Sequence, residues 1–300
     1  MKTRVSGAFA SLALCLLVLG AAPQEKKKQI LFFTKSAGFE HDQIKKKGDE
    51  PSAAEKVLRE LAHKNNWEIT ETKDGGIFTR ENIARFDAFF FYTTGVLTTP
   101  GTDKNPPMSP EGKAAFLDAI KSGKGFVGTH SAADTFHPTE PRGDRFQAFG
   151  DKNDPYLLML GGEFIRHGKQ QKTRMICADP KFPGAAAAGE GFDMIEEWYS
   201  FNDYRDDLHV ILVSETKDMA KTGADSVYNR PPFPATWARM HGQGRVFYTS
   251  MGHRGDVWTN ATFQSMLEGG LKWALKEVDA DVTPNVEKVA PGYKVIPPEK

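Results

Sequence analysis

The first half of the chain alternates between continuous apolar runs and amphipathic stretches. One run with polar–apolar alternation predicts a strand at 67–72, and apolar stripes with helical spacing predict helices at 51–64 and 109–121. Runs without alternation predict strands covered on both faces, at 30–34, 87–93, 125–129 and 209–214. Because strands and helices alternate, the pattern predicts a parallel sheet with helices on both faces.

Gly- and Pro-rich segments interrupt the second half of the chain. The elements predicted there are a helix at 155–160, strands at 163–178, 197–201, 235–239 and 245–250, and a final amphipathic helix at 260–276. Gly242-Gln243-Gly244 separates the last two strands and predicts a hairpin. From about Val278 the chain is charged and Pro-rich, which predicts a poorly packed, extended C-terminal tail over 278–300. We therefore expect one α/β domain over 29–277.

The N-terminus has the pattern of a secretory signal peptide. Met1–Arg4 is basic, 9–19 is apolar, and Gly20-Ala21-Ala22 offers a small-residue cleavage site. We therefore expect residues 1–22 to be a signal peptide, and the mature protein to be exported to the periplasm or outside the cell. The signal peptide is then the one segment expected to contact a membrane. Cys15 leaves with it, and Cys177 remains as a buried, inert thiol without a disulfide partner.

Charge argues against one class of partner. The chain has 39 basic and 39 acidic residues, with a formal net charge of +0. Such a balance does not suggest a basic face that holds nucleic acid. The sequence gives no indication of the oligomeric state.

The strand at 125–129 ends on the turn Gly128-Thr129-His130-Ser131-Ala132. This turn has the outline of a nucleophile elbow, with His130 at the nucleophile position. In an open α/β sheet, ligands bind at this carboxyl edge. An imidazole there acts as a base or as a metal ligand. The alternative is a tight strand-to-helix turn that contains a hydrogen-bonded histidine.

Three histidines follow predicted strands at the same sheet edge. His41, His130 and His253 are therefore expected to converge, with Glu197 and Asp134 as the nearest candidate carboxylates. Imidazoles and a carboxylate from separate strands suit a divalent metal such as Zn²⁺, although the sequence establishes no cofactor. The chain has no His-x-x-x-His or Cys-x-x-Cys signature, so the alternative is that each histidine satisfies a hydrogen bond in its own loop.

The remaining histidines separate into two groups. His137 and His167 lie in segments predicted to be irregular and close to the cleft, which makes them candidates for ligand contact. His63, His209 and His241 are expected to be structural.

Seven segments, read in order, resemble the ThuA-like (trehalose-utilisation) family. They are 34–41, 86–95, 125–135, 161–167, 196–199, 234–237 and 244–253. Each segment alone is weak evidence for the resemblance, but together they occur in the family's order and span roughly residues 30–276. The resemblance implies a class I glutamine amidotransferase-like fold, which is a flavodoxin-like three-layer sandwich with a mainly parallel sheet. It also implies a link to disaccharide utilisation, whereas fold alone does not supply a reaction.

The resemblance excludes more chemistry than it assigns. Class I amidotransferases carry Cys at the elbow and His-x-Glu after a late strand. Here the elbow carries His130, and Gly255 stands two residues after His253, so we expect no glutaminase activity. FMN binding is disfavoured because the loop 35–41 lacks a Ser/Thr-rich phosphate cradle.

Two hypotheses remain. The first is an exported enzyme (a hydrolase, lyase or isomerase) that acts on a trehalose-type disaccharide or a keto-sugar derivative, with His130, His253 and Glu197 as catalytic residues. The second is a non-catalytic carbohydrate-binding or accessory module. The residues expected to contact the sugar are His41, Phe39, Asp134, His137, His167, Tyr199 and Arg254. Further candidates are the aromatic residues Trp198, Phe201 and Trp258 and the polar residues Asn202 and Asp256.

Overall fold

A computed structural model describes residues 1–3, 26–137 and 145–299. The expected signal peptide lies almost wholly outside these residues, as does Cys15. The strands are β1 (Gln29–Phe33), β2 (Glu68–Thr72), β3 (Ala88–Phe91), β4 (Gly125–Thr129), β5 (Glu163–His167), β6 (Gln171–Cys177), β7 (Gly191–Glu196), β8 (Tyr199–Asn202), β9 (His209–Ser214), β10 (Phe233–His241) and β11 (Gly244–Thr249). The α-helices are α1 (Ala53–Asn65), α2 (Arg80–Arg85), α3 (Pro110–Lys121), α4 (Pro155–Leu160), α5 (Gly255–Trp258), α6 (Ala261–Ala274) and α7 (Val286–Val289).

Nine of these strands form one mixed sheet in the order β2-β1-β3-β4-β11-β10-β9-β6-β7. The first five are parallel, as expected, and β5 and β8 form a separate antiparallel pair. The prediction that 209–214 is a parallel strand is wrong, because β9 pairs antiparallel with both β10 and β6. Its apolar run reflects cover on both faces, and the tight β10–β11 hairpin reverses the chain beside it.

Two other predicted boundaries change. The segment 163–178 forms two strands in different sheets, separated near Gly168, where a Cβ would collide with Asp225 Oδ1. His167 ends β5, so it lies within the predicted strand segment 163–178 and not in an irregular segment. The predicted strand at 197–201 begins at Tyr199, and Glu197 lies in the short link between β7 and β8.

Local sequence signals explain several helix starts. The Ser52 side chain and Glu55 form a reciprocal capping box before α1, and Ser109 caps α3 as predicted. Helix α2 is absent from the sequence prediction because six residues are too few to show an apolar stripe, although Thr79 caps it. In the part of the chain that the structure describes, no helix is long and apolar enough to cross a membrane.

The C-terminal segment is packed, so the expectation of a poorly packed tail is wrong. Val286, Ala290 and Tyr293 are buried, and the Asn285 side chain exchanges two hydrogen bonds with the backbone of Val210 in β9. A few widely spaced residues attach this segment to the domain. Its charged and Pro-rich composition hides them in the sequence, which is why the packing was not predicted.

Candidate metal centre and cleft

His130 is held in one orientation by the turn that follows β4. Its φ is 44°, in the left-handed region that a residue with a Cβ rarely adopts. The ring is fully buried, and Nδ1 lies 3.0 Å from the carbonyl oxygen of Ser250. A carbonyl accepts, so Nδ1 donates, and Nε2 of the neutral ring keeps its lone pair. A backbone partner on one ring nitrogen is typical of a histidine that binds a metal through the other.

His253 reaches the same place from the neighbouring strand. Strands β4 and β11 are parallel and pair Thr129 with Thr249, so the chain leaves both strands at one rim. The carboxylate of Glu196, fully buried, accepts hydrogen bonds from the backbone N–H groups of Gly252 at 2.9 Å and His253 at 3.1 Å. These bonds fix the loop that presents the His253 ring.

Glu197 connects the two histidines. Its Oε2 lies 3.5 Å from His130 Nε2 and 3.1 Å from His253 Nδ1, and the two ring nitrogens are 3.3 Å apart. Its other oxygen, Oε1, lies 3.4 Å from His167 Nδ1. The three atoms at the centre therefore form a nearly equilateral triangle with edges of 3.1–3.5 Å.

His41 closes the group from the loop after β1. Its ring centroid lies 4.9 Å from that of His130 and 5.3 Å from that of His253. The ring is buried, and its Nδ1 has no hydrogen-bond partner among the residues that the structure describes. An unpaired buried polar atom costs free energy, so a native structure normally supplies it with a partner. The predicted convergence of His41, His130 and His253 with Glu197 nearby is confirmed.

The donor set fits a divalent metal. One ligand atom from each of these four residues lies within 4.8 Å of the other three. Two ligands that are each about 2.0–2.1 Å from a tetrahedral Zn²⁺ lie about 3.3 Å apart, close to the edges of the triangle at Glu197. A plain hydrogen-bonded cluster explains the contacts of Glu197, but within the described part of the chain it leaves His41 Nδ1 without a partner. We name these four residues the His–Glu centre.

Burial and neighbouring charges set the protonation of the centre. Burial, followed by the nearby His130 and His253, lowers the pKa of His41 well below its ordinary value, which keeps its ring neutral. Burial opposes the charged forms of Glu197 and His253. At Glu197 the hydrogen bonds from His130 and His253 outweigh burial, and at His253 the hydrogen bond to Glu197 outweighs it. The pKa of Glu197 is therefore lowered and that of His253 raised. A neutral histidine beside an ionised carboxylate provides the electron pairs that a metal requires.

A cavity of about 640 Å³ opens directly above the centre, within the usual range for small-molecule sites. His41, Glu197 and His253 form part of its wall, whereas His130 lies beneath it. Other wall residues include the predicted Phe39, Asp134, His167 and Tyr199. The Tyr199 ring lies 4.1 Å from that of His130 and stacks on Phe164 at 3.9 Å.

Asp134 and His137 belong to a second cluster beside the centre. His137 lies between Asp134 and Glu163, with 2.7 Å from a ring nitrogen to each carboxylate. Arg145 Nη1 donates to the same Asp134 oxygen at 2.9 Å. Asp134 reaches the cavity wall, but His137 does not line it. The candidate carboxylates therefore separate, and only Glu197 joins the histidines.

Four further candidates are not available to a ligand in the cleft. Trp198, Phe201, Trp258 and Asn202 are all buried, and the Asn202 amide donates to the carbonyls of Arg145 and Gln147. The predicted structural roles of other histidines agree with their contacts: His209, for example, bonds Asp179 and the Thr283 carbonyl. Arg254 lies beside a smaller neighbouring cavity with Asp256.

Sequence reasoning missed several residues of the site. Glu196 supports the His253 loop, and its proximity to Glu197 in sequence is the signal that was available. Arg145, Phe164 and Arg166 line the cavity. Phe164 and Arg166 precede His167 in a segment that already resembled a known family, whereas nothing in the local pattern marks Arg145.

Comparison with known proteins identifies the family. The chain matches the family model ThuA, described as trehalose utilisation, over residues 29–274. The fold is similar to a ThuA-like protein from Bacteroides uniformis ATCC 8492, with TM-score 0.59 and 16% identity, covering 85% of this chain and 94% of that one. It is also similar to a ThuA-like protein from Parabacteroides merdae ATCC 43184, with TM-score 0.52 and 16% identity, covering 91% and 97% respectively. Comparison with curated proteins finds no match. The family model covers most of the chain, which therefore belongs to the ThuA family.

Proposed function

We propose that the protein is a metal-dependent enzyme that acts on a sugar, either a trehalose-type disaccharide or a keto-sugar derivative. One observation carries the proposal: four ligand atoms from His41, His130, Glu197 and His253 lie within 4.8 Å of one another on the floor of a cavity. The family's link to trehalose utilisation supports a sugar as the ligand. A three-layer, amidotransferase-like arrangement of the fold is part of the same proposal.

The four residues of the centre would hold a divalent metal such as Zn²⁺. When bound, the metal supplies Lewis-acid polarisation of a substrate oxygen or a water of lowered pKa. Three of the four residues border the cavity, so a ligand in the cavity approaches the centre from that side. Such access is typical of catalytic metal sites, whereas structural sites are closed by protein ligands.

The chain's own residues divide the remaining work. The buried His130 orients its Nε2 toward the centre and does not touch the cavity, so we assign it to metal binding rather than to proton transfer with substrate. His167 borders the cavity and approaches the far oxygen of Glu197, which places it to exchange a proton with a bound hydroxyl. The exposed Phe39 ring offers an apolar face at the mouth.

Metal analysis tests the proposal directly. Purified protein is loaded with Zn²⁺ and dialysed, and its metal content is measured by inductively coupled plasma mass spectrometry. We expect about one Zn²⁺ per chain in the wild type and loss of the metal in His41→Ala and His253→Ala. His63→Ala, at an exposed position in α1, is the matched control and keeps the metal. A metal-free wild type after loading would contradict the metal centre.

Turnover separates the enzyme from the alternative. The elbow carries His130 where the related amidotransferases carry a thiol, and this observation favours a non-catalytic carbohydrate-binding module as the second candidate. Trehalose and its keto derivative are incubated with metal-loaded and chelator-treated protein. Metal-dependent product formation supports the enzyme, whereas metal-independent binding without turnover supports the module. Glutamine, tested in parallel, is expected to release no ammonia.

Export is proposed from the pattern of residues 1–22. The protein is expressed in a bacterial host, and the N-terminus of the periplasmic fraction is sequenced. A start near Ala22 or Pro23 is expected, and an intact N-terminus on cytoplasmic protein would contradict export.

A further inference from the structure

A second, smaller cavity of about 380 Å³ adjoins the main one. The two cavities share Phe39 and His253, which therefore form a partition between them. The remaining wall of the smaller cavity is polar and consists of Asp42, Gln43, Gln170, Arg254, Gly255 and Asp256. We call it the side cavity. Its wall comes from three segments: the connection after β1, the loop before β6, and the loop after β11 together with the first residues of α5.

Arg254 ties the segment after β11 to the loop before β6. Its Nε and Nη2 donate to the two carboxylate oxygens of Asp256 at 2.9 and 3.0 Å, and its Nη1 donates to Gln170 Oε1 at 2.8 Å. A bidentate Arg–carboxylate pair has a defined geometry. The side cavity thus has a preorganised polar wall next to the His–Glu centre.

Charge in the side cavity is locally balanced. Arg254 is paired with Asp256, and Asp42 is paired with Lys45 at 2.8 Å. A phosphate or carboxylate ligand needs donors from a cation that is not already engaged, and Arg254 already gives its bidentate edge to Asp256. This balance favours an uncharged ligand.

Gln43 provides hydrogen-bonding capacity without an internal partner. Its side chain is half-buried and makes no hydrogen bond within the described residues. Its Oε1 lies close to Gly255, because a Cβ added at Gly255 would be 3.4 Å from this atom. An amide offers both a donor and an acceptor, as does a sugar hydroxyl. Phe39, 64% exposed, adds an apolar ring at the partition, edge-on to His41 at 5.0 Å.

We propose that the side cavity is a second sugar subsite and that the substrate is an uncharged disaccharide. One ring lies in the main cavity and the other in the side cavity, so the glycosidic linkage crosses the partition at Phe39 and His253. Gln43, Gln170 and Arg254 hydrogen-bond the hydroxyls of the second ring. The inference rests on the proposed function and adds to it the size of the substrate, its lack of charge and the place of its linkage.

Isothermal titration calorimetry of the Zn²⁺-loaded protein tests the subsite. The two ligands are trehalose, which has two rings, and glucose, which has one. Wild type is expected to bind trehalose more tightly than glucose. Gln43→Leu is expected to weaken trehalose binding about 3- to 10-fold, the value of one neutral hydrogen bond, and to leave glucose binding unchanged. Gln243→Leu, in the exposed β10–β11 turn, is the matched control and changes neither. Because the Gln43 side chain makes no hydrogen bond to the residues that the structure describes, the variant is expected to keep the wild-type melting temperature.

The outcomes separate the two proposals. If both sugars bind wild type and Gln43→Leu leaves trehalose binding intact, or weakens both sugars equally, the subsite is wrong and the proposed function stands. If neither sugar binds, the proposed function fails, and the subsite fails with it. Trehalose 6-phosphate provides the test of charge: binding no tighter than that of trehalose is expected, and clearly tighter binding would overturn the assignment of an uncharged ligand.

Discussion

Raising the pH from 6 to 10 is expected to remove about 3 kcal/mol of folding free energy that His137 contributes. Both ring nitrogens of His137 lie 2.7 Å from a carboxylate oxygen, one of Asp134 and one of Glu163. Both nitrogens donate only when the imidazole is protonated. The buried cluster, which also contains Arg145, therefore balances two carboxylates with two cations at neutral pH.

The magnitude follows from the pKa of His137. Burial lowers this pKa, but the hydrogen bonds to Asp134 and Glu163 outweigh burial and raise it from 6.5 to about 9. Between these values the folded protein keeps a proton that the unfolded chain releases. The contribution is thus complete below pH 6.5 and is lost as the pH rises through about 9. Each pH unit in this window is worth about 1.4 kcal/mol, which gives the value of roughly 3 kcal/mol.

Urea unfolding at five pH values between 6 and 10 measures the effect against His137→Asn. Asparagine is uncharged throughout, so the difference in unfolding free energy between wild type and variant isolates the titration of His137. We expect this difference to shrink by about 3 kcal/mol over the range. Gln243→Asn, in the exposed β10–β11 turn, is the control and should give a difference that does not vary with pH, because neither side chain titrates. A constant difference for His137→Asn would refute the protonated cluster.

Three further substitutions test the supports of the site and the fold. Glu196→Gln weakens the anchor of the His253 loop and is expected to lower Zn²⁺ affinity about 10- to 100-fold in a competition assay; unchanged affinity would deny this support. Gly252→Ala is expected to lower stability by about 1–3 kcal/mol in urea unfolding, because φ is 127° and the new Cβ would lie 2.8 Å from Thr129 Oγ1; a wild-type midpoint would contradict this. Tyr293→Ala is expected to lower the free energy of unfolding by about 3 kcal/mol in the same measurement, because the ring is buried. An unchanged free energy of unfolding would indicate that the C-terminal segment is loosely packed after all.

The part of the fold that sequence predicts best is the parallel half of the sheet. Runs such as 87–93 are apolar without alternation because both faces of the sheet are covered, and this cause leaves a direct trace in sequence. Strand direction leaves no such trace, which is why β9 is correctly placed but pairs antiparallel on both sides. Direction depends on the chain reversals beside it, above all the β10–β11 hairpin.

The site shows the same division between local and distant information. The convergence of His130 and His253 follows from topology alone, since both leave parallel neighbouring strands at one rim. Sequence could not separate Glu197 from Asp134, because both lie near the rim and the difference is in their partners. Asp134 is engaged by His137 and Arg145, three and eleven residues along the chain, whereas Glu197 turns toward the two histidines.

The elbow at His130 shows how one backbone geometry serves a different chemistry. A φ of 44° costs roughly 1–2 kcal/mol, and in hydrolases such a turn exposes a nucleophile. Here Tyr248 donates to the His130 carbonyl at 2.6 Å and Ser250 accepts from the ring, so the side chain is buried instead. The strained turn therefore fixes the direction of Nε2, which lies 3.3 Å from His253 and 3.5 Å from Glu197. Precision of that kind benefits a metal ligand more than a nucleophile, because a ligand must meet several fixed atoms at once. For this reason His130→Cys would place a thiol below the cavity wall and would not create an amidotransferase nucleophile.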